Sequence, residues 1–230
     1  MAAIVVTADL QGRELFEDSR GQALRLLGEV LPQRLAAEVL PDLVSPASGR
    51  IGVLLAGDFY TVPALDRRGG TGDVTCVWQA FADSFDWVAG VPGNHDTFGD
   101  PPQRRPRFPS RVRFLDGDVT DISGLRVAGL GGIVGKATRP NHRSEEDYLA
   151  ALRRLLDPLP DLVLLHDGPS GLEPGQRGLS CVRELLVDAG ARLIIRGHAH
   201  WDQPFVELPD GMQILNVDAR VVVLMNDLPK

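Results

Sequence analysis

Six short, largely apolar runs rich in β-branched residues punctuate the chain: Ala3 to Ala8, Ile51 to Ala56, Trp87 to Val91, Leu125 to Leu130, Leu162 to Leu165 and Leu193 to Ile195. Each closes on a polar cluster, the pattern expected of strands. Between them, apolar residues recur at helical spacing. Leu24, Leu27, Val30 and Leu31 form one such set, and Val74, Val77 and Phe81 another. Ser144-Glu145-Glu146-Asp147 predicts a helix start, because a hydroxyl caps free amides and carboxylates suit the positive end of the helix dipole. That helix should turn Tyr148, Leu149, Leu152, Leu155 and Leu156 inward and stop at Pro158. A further helix, from about Cys181 through Val187, has Gly190 as its left-handed cap. Strands alternating with helices predict an α/β fold.

The tail changes pattern. Phe205 to Leu208, a Pro209-Asp210-Gly211 turn, Met212 to Val217 and then Ala219 to Met225 predict an antiparallel meander. Phe98 to Arg111, rich in Pro and Arg, predicts a long surface loop. With no internal repeat, residues 1–230 read as a single domain.

Composition narrows the function classes. A chain that is 43% hydrophobic and 24% charged is not disordered, and 24 basic against 31 acidic residues, a net charge of −7, argue against nucleic acid or an anionic membrane as the main partner. Two cysteines, Cys76 and Cys181, make neither a disulfide framework nor a thiolate zinc cluster. Any metal must therefore be held by His, Asp, Glu or amide groups. No apolar run approaches the ~20 residues that span a bilayer, and no secretory signal opens the sequence, so the cytoplasm is the expected compartment.

The strand ends carry the chemistry. The first ends Thr7-Ala8-Asp9-Leu10-Gln11, the second Ala56-Gly57-Asp58, and the third Val91-Pro92-Gly93-Asn94-His95-Asp96. Later ones run into His166-Asp167-Gly168 and Gly197-His198-Ala199-His200. In α/β sheets ligands bind beyond the carboxyl ends of strands. A lone Gly-Asp is an ordinary turn and a lone buried His an ordinary hydrogen-bonded side chain. Their recurrence at successive tips is what those readings leave unexplained. Carboxylates and imidazoles gathered at one edge call for a cation among them.

Asp9-Leu10-Gln11, Gly57-Asp58, Gly93-Asn94-His95-Asp96, His166 and Gly197-His198-Ala199-His200, in this order, resemble the calcineurin-like metallophosphoesterase superfamily. The resemblance implies a four-layer αββα sandwich, two central mixed sheets flanked by helices, with a two-metal centre at the strand ends. It puts Asp9, Asp58 and His200 on a first metal and Asn94, His166 and His198 on a second, with Asp58 bridging. It also implies that His95 assists the leaving oxygen and that Asp96 orients the His95 imidazole. Two divalent ions about 3.5–4 Å apart share a hydroxide and clamp the oxygens of an in-line displacement at phosphorus.

The sequence departs from the family pattern at Gln11, where a histidine is usual. Gln11 can bind through its amide oxygen, hold a water, or stand aside. As a ligand it makes the first site oxygen-rich, which favours manganese or iron, with zinc also admissible. After Asp58 the protein-phosphatase pattern is missing, so a small organic phosphate or nucleotide is favoured over a phosphoprotein. Tyr60, Phe98, Arg139, Asn141 and His142 are candidate substrate contacts, against the simpler reading of packed aromatics and a solvated loop. Arg104, Arg105, Arg107, Arg111 and Arg113 form either a solvated, Pro-stiffened loop or a flap that attracts phosphate. The expected function is a metal-dependent hydrolysis of a phosphate mono- or diester by a metal-activated hydroxide. A non-catalytic scaffold on the same fold and a nuclease are the alternatives.

Overall fold

Each of the six apolar runs forms a strand, within one residue of its expected bounds, in a computed structural model that describes residues 1–14, 24–45, 49–65 and 69–226. In chain order the elements begin β1 (Ala3–Ala8), α1 (Leu27–Arg34), α2 (Leu40–Leu43), β2 (Ile51–Leu55), β3 (Gly72–Asp73), α3 (Thr75–Ser84), β4 (Trp87–Gly90), β5 (Asp96–Thr97) and β6 (Val112–Phe114). They continue with β7 (Asp118–Ile122), β8 (Leu125–Leu130), β9 (Ile133–Val134), β10 (His142–Arg143), α4 (Glu145–Leu156), β11 (Leu162–Leu165), α5 (Ser180–Asp188), β12 (Leu193–Arg196), β13 (Phe205–Glu207), β14 (Gln213–Asn216) and β15 (Arg220–Met225). One π-helical stretch, Leu35–Val39, joins α1 to α2.

Two large mixed sheets form, in strand orders β15-β1-β2-β4-β6 and β13-β14-β12-β11-β8-β7. Parallel strands dominate both, and antiparallel strands lie only at their edges. Alternation along each strand builds the layers. Val5, Val53, Leu55 and Val88 face outward from the first sheet and pack with Val77, Trp78 and Phe81 of α3. Ile4, Val6, Leu54 and Ala89 face the other way and meet Val127, Leu162, Leu164 and Ile195 of the second sheet. On the far side of that sheet, Val163, Leu165 and Ile194 pack with Tyr148 and Leu152 of α4 and Val182 and Leu186 of α5. The result is the expected αββα order. Strands buried on both faces must be apolar at nearly every position, which is why they read as runs.

The helix signals also hold. Ser144 caps α4 by accepting the Asp147 N–H at 3.1 Å, and Gly190, just beyond α5, takes a φ of +68°.

The tail is where the expectation fails. β13 and β14 pair antiparallel, with Phe205 opposite Leu215, but β15 does not complete a meander. It crosses to the other sheet and pairs antiparallel with β1 from Ala3↔Met225 to Ala8↔Arg220. The reason is geometric: β12 and β13 occupy the two edges of β14, whereas β1 has β2 on one side and an open edge on the other. The Phe98–Arg111 stretch contains no regular element, as expected, yet it is anchored. Phe98 and Phe108 fold in against Trp78, with ring centroids 5.6 and 5.3 Å away.

Candidate metal centre

The first, second and twelfth strands each end on a residue with left-handed backbone: Asp9 at φ +56°, Asp58 at +59° and His198 at +70°. Such conformations are uncommon outside glycine and cluster where function requires them. Here they fall on three of the expected ligands. Two glycines let these turns close. A Cβ on Gly93 would lie 2.0 Å from Asp58 Oδ1, and one on Gly197 would lie 2.4 Å from Asp9 Oδ2.

The second-metal set converges tightly. Nitrogen or oxygen atoms of Asp58, His166 and His198 all lie within 4.8 Å of one another. His166 is wholly buried; its Nδ1 sits 2.8 Å from the carbonyl oxygen of Ala56, while its Nε2 faces Asn94 Oδ1 at 3.1 Å and Asp58 Oδ2 at 3.5 Å. With Nδ1–H donated to that carbonyl, Nε2 presents a lone pair to two oxygens. Three electron pairs thus meet at one point, and only a cation between them makes the arrangement favourable. In the metal-free protein a proton serves: burial opposes charge on His166, but the Asp58 carboxylate overcomes it and pushes the imidazole up to about 10. The same pair holds Asp58 below the usual carboxylate range despite its burial. Burial and the neighbouring His166 charge drive His198 down to about 4, so it offers an unprotonated nitrogen. A buried donor set that retains a proton in the absence of metal fits a divalent cation.

The first-metal set is looser. Asp9, Gln11 and Asp58 line a cavity of about 490 Å³ together with His95, His198 and Gly69 to Thr71. Asp9 Oδ2 accepts the His198 N–H at 2.8 Å, and burial, assisted by Asp58 and Asp218, pushes Asp9 up to about 8. Gln11 presents its amide nitrogen, 3.2 Å from Asp58 Oδ2, and so acts here as a donor. His200 is half-exposed and lies outside the tight trio; its Nδ1 is 2.8 Å from Asp218 Oδ2, and its Nε2 is 3.4 Å from an Arg220 nitrogen.

His95 reaches the cavity, and its main-chain N–H donates to Asp58 Oδ1 at 2.9 Å. The expected orienting contact from Asp96 is not made. Asp96 instead accepts three main-chain N–H groups, from Asp58, Phe59 and Gly93, at 2.8–2.9 Å. Both its oxygens are engaged, so it ties together the turns that carry Asp58 and Asn94. The ring contact at His95 Nδ1 comes from Thr71 Oγ1 at 3.3 Å.

Three residues were missed by sequence reasoning. Asp218 follows β14 and so belonged to the same strand-tip pattern, hidden by the meander expectation. Thr71 carries no signal beyond its flanking glycines. Arg196 is fully buried, donates to the carbonyl oxygens of Gly168, Pro169, Arg177 and Gly197, and stacks 5.4 Å over Trp201; in the sequence it is simply the polar residue that follows the Leu193 to Ile195 run. Of the candidate substrate contacts, Tyr60 packs against the Gly70–Gly72 segment and under Arg13. Phe98, Arg139, Asn141 and His142 line a separate cleft. Within it the Asn141 amide already donates to two main-chain oxygens, those of Gly93 at 3.0 Å and Asp96 at 2.8 Å.

A profile of the calcineurin-like phosphoesterases matches residues 2–202. The chain belongs to that family. Calcineurin-like phosphoesterases are metal-dependent phosphoester hydrolases, generally with two metals, and buried Asp58 and His166 with exposed His198 form a group that could hold one. Solved structures share the fold at low sequence identity. TT1561 of Thermus thermophilus matches with a TM-score of 0.52 and 15% identity, over 94% of this chain and 88% of that one. Phosphopantetheinyl hydrolase (PptH) from Mycobacterium tuberculosis matches with a TM-score of 0.51 and 13% identity, over 95% and 89%. No curated protein sequence matches significantly. Among the described residues no helix is long and apolar enough to cross a membrane.

Proposed function

We propose that this protein hydrolyses a phosphate mono- or diester of a small organic molecule or nucleotide. The observation that carries the reading is the convergence of Asp58, His166 and His198 within 4.8 Å, beside Asn94 and at the edge of the cavity that His95 enters. Asn94, His166, His198 and Asp58 would hold one divalent ion, and Asp9, Asp58 and His200 the other, which Gln11 would join through its amide oxygen once the amide turns over from the donor pose it holds toward Asp58. When bound, such ions supply Lewis acidity toward the phosphoryl oxygens and a water acidified to act near neutral pH. Manganese or iron suits the oxygen-rich first set, and zinc is admissible.

The remaining roles belong to the protein. Asp58 and Asp9 bring negative charge that balances the ions, while Asn94 contributes a neutral oxygen and so limits repulsion of an anionic ester. His95 lines the cavity, where its ring would deliver a proton to the leaving oxygen. If Thr71 donates its hydroxyl to Nδ1, the proton resides on Nε2, the nitrogen able to deliver it. Asp96 keeps the Asp58 and Asn94 turns in register through its three accepted N–H groups.

Turnover of p-nitrophenyl phosphate and bis(p-nitrophenyl) phosphate with added manganese, iron or zinc tests the reading. Wild type should cleave at least one ester. Asp58→Ala should lose metal and activity together, and His95→Ala should keep its metal while kcat falls by about 10²-fold or more, the contribution of a general acid. No turnover by wild type under any of these metals would move the assignment to a non-catalytic scaffold.

A further inference from the structure

A second cleft, of about 440 Å³, lies beside the segment that follows His95. His95 lines the metal-side cavity, and the next two residues, Asp96 and Thr97, line this cleft, so the two spaces adjoin one short segment. Its volume falls within the roughly 300–1,000 Å³ of small-ligand sites.

The lining has two parts. One is apolar: Phe98 and Phe114 meet edge-on with centroids 5.2 Å apart, flanked by Pro92 and Pro140. Phe98 is fixed by Trp78 and Phe108 behind it, so this wall is rigid. The other part is cationic. Arg104 and Arg139 reach the cleft from two different loops, and among the described residues neither lies within 4.0 Å of a carboxylate. The third guanidinium, Arg143, is neutralised by Asp116 at 2.7 Å. Two guanidiniums without an ion pair, facing one small cleft in a chain of net charge −7, favour an anion there.

We propose that this cleft binds the non-phosphoryl part of the substrate, a planar apolar group that carries its own anionic substituent. The ring would lie against half-buried Phe114, backed by buried Phe98, and the anion would meet Arg104 and Arg139. The leaving-group role of this moiety rests on the phosphoesterase reading above. Asn141 also lines the cleft, but its amide N–H groups are committed to the carbonyls of Gly93 and Asp96, which leaves ligand recognition to the arginines.

The test uses metal-loaded protein and three non-hydrolysable probes in titration calorimetry: phenylphosphonate, 4-carboxyphenylphosphonate and 1,4-phenylene bisphosphonate. One of the two substituted probes should bind at least about tenfold more tightly than phenylphosphonate, the size of one charge-assisted hydrogen bond. Which of them gains tells whether a carboxylate or a second phosphate is preferred. In R104Q/R139Q the affinity ratio should fall to near one. A ratio near one in wild type, or a ratio unchanged in the double variant, overturns the proposal. Parallel assays with the corresponding phosphate esters keep the two readings apart. Discrimination among phosphonates without turnover of any ester would sink the hydrolase assignment and support the cleft as a ligand site.

Discussion

His200 and Asp218 form a carboxylate–imidazole pair, with Nδ1 and Oδ2 2.8 Å apart. The pairing assigns the ring's two nitrogens. Nδ1 is engaged by the carboxylate, and Nε2, which meets an Arg220 nitrogen at the longer distance of 3.4 Å, is the atom a metal would take in place of that contact; Asp218 sets the tautomer and orientation that present it. Asp218→Asn should therefore weaken the first metal site by about 10–100-fold and leave the second intact. Stepwise dialysis with metal analysis checks this. Even in wild type the first site, built on a half-exposed histidine and Gln11, should lose its ion before the site built on buried His166. Equal loss from both sites in the variant would contradict the assignment.

The metal-free protein should become less stable as pH rises through the alkaline range. Asp9, raised by burial to about 8, and His166, raised by Asp58 against its burial to about 10, both bind protons more tightly folded than unfolded. Such groups contribute stability that is complete below their unfolded values, about 3.9 and about 6.5. It is lost as pH climbs through the folded values. Between pH 6.5 and 10 the melting temperature of chelated protein should fall. Metal displaces these protons, so the loaded protein should show a flatter profile, metal affinity should rise with pH, and binding should release protons measurable from the buffer dependence of the calorimetric heat.

Asn141→Gly should separate positioning from binding. Asn141 has left-handed backbone, φ +53°, which glycine adopts freely, so only the two donated hydrogen bonds are lost. The carbonyls of Gly93 and Asp96 lose their amide donor, at a cost of about 1–3 kcal/mol in stability. Since these carbonyls flank Asn94 and His95, kcat should fall by roughly tenfold or more through misplacement of the turn, with KM nearly constant. A rise in KM at constant kcat would instead mark Asn141 as a substrate contact.

Gly93→Ala probes the closeness of the two turns. Its Cβ would meet Asp58 Oδ1 at 2.0 Å and Asp58 N at 2.3 Å, so the main chain must move. We expect destabilisation of about 1–3 kcal/mol and loss of bound metal, read by denaturant titration and metal analysis. Retention of both ions at wild-type affinity would show that the turns tolerate separation.

The strands, the order of layers and the ligand-bearing tips were legible because they depend on local signals. A strand covered on both faces is apolar along its length, and a polar residue at its end stands out. What the sequence hid depends on partners distant along the chain. Val221, Val222 and Val223 say that β15 is a strand and nothing about which sheet receives it; the occupied edges of β14 decide that. Asp96 beside His95 suggested a ring contact, yet its carboxylate points to main-chain donors from another strand tip. Phe98 reads as a loop aromatic because its partners Trp78 and Phe114 lie in separate elements.

The crossing of β15 to β1 also sets a schedule. Asp9 leaves the ribosome long before the amide that fixes its carboxylate, which belongs to His198, 189 positions later. The strand that completes its sheet edge comes later still. Domains emerge and fold from the N-terminus, and pairings this remote close late. Until His198 appears, a nascent chain lacks two of the seven proposed ligands, His198 and His200. On the proposed assignment, metal capture therefore waits for the finished chain, and a translation product stopped before His198 would retain metal poorly.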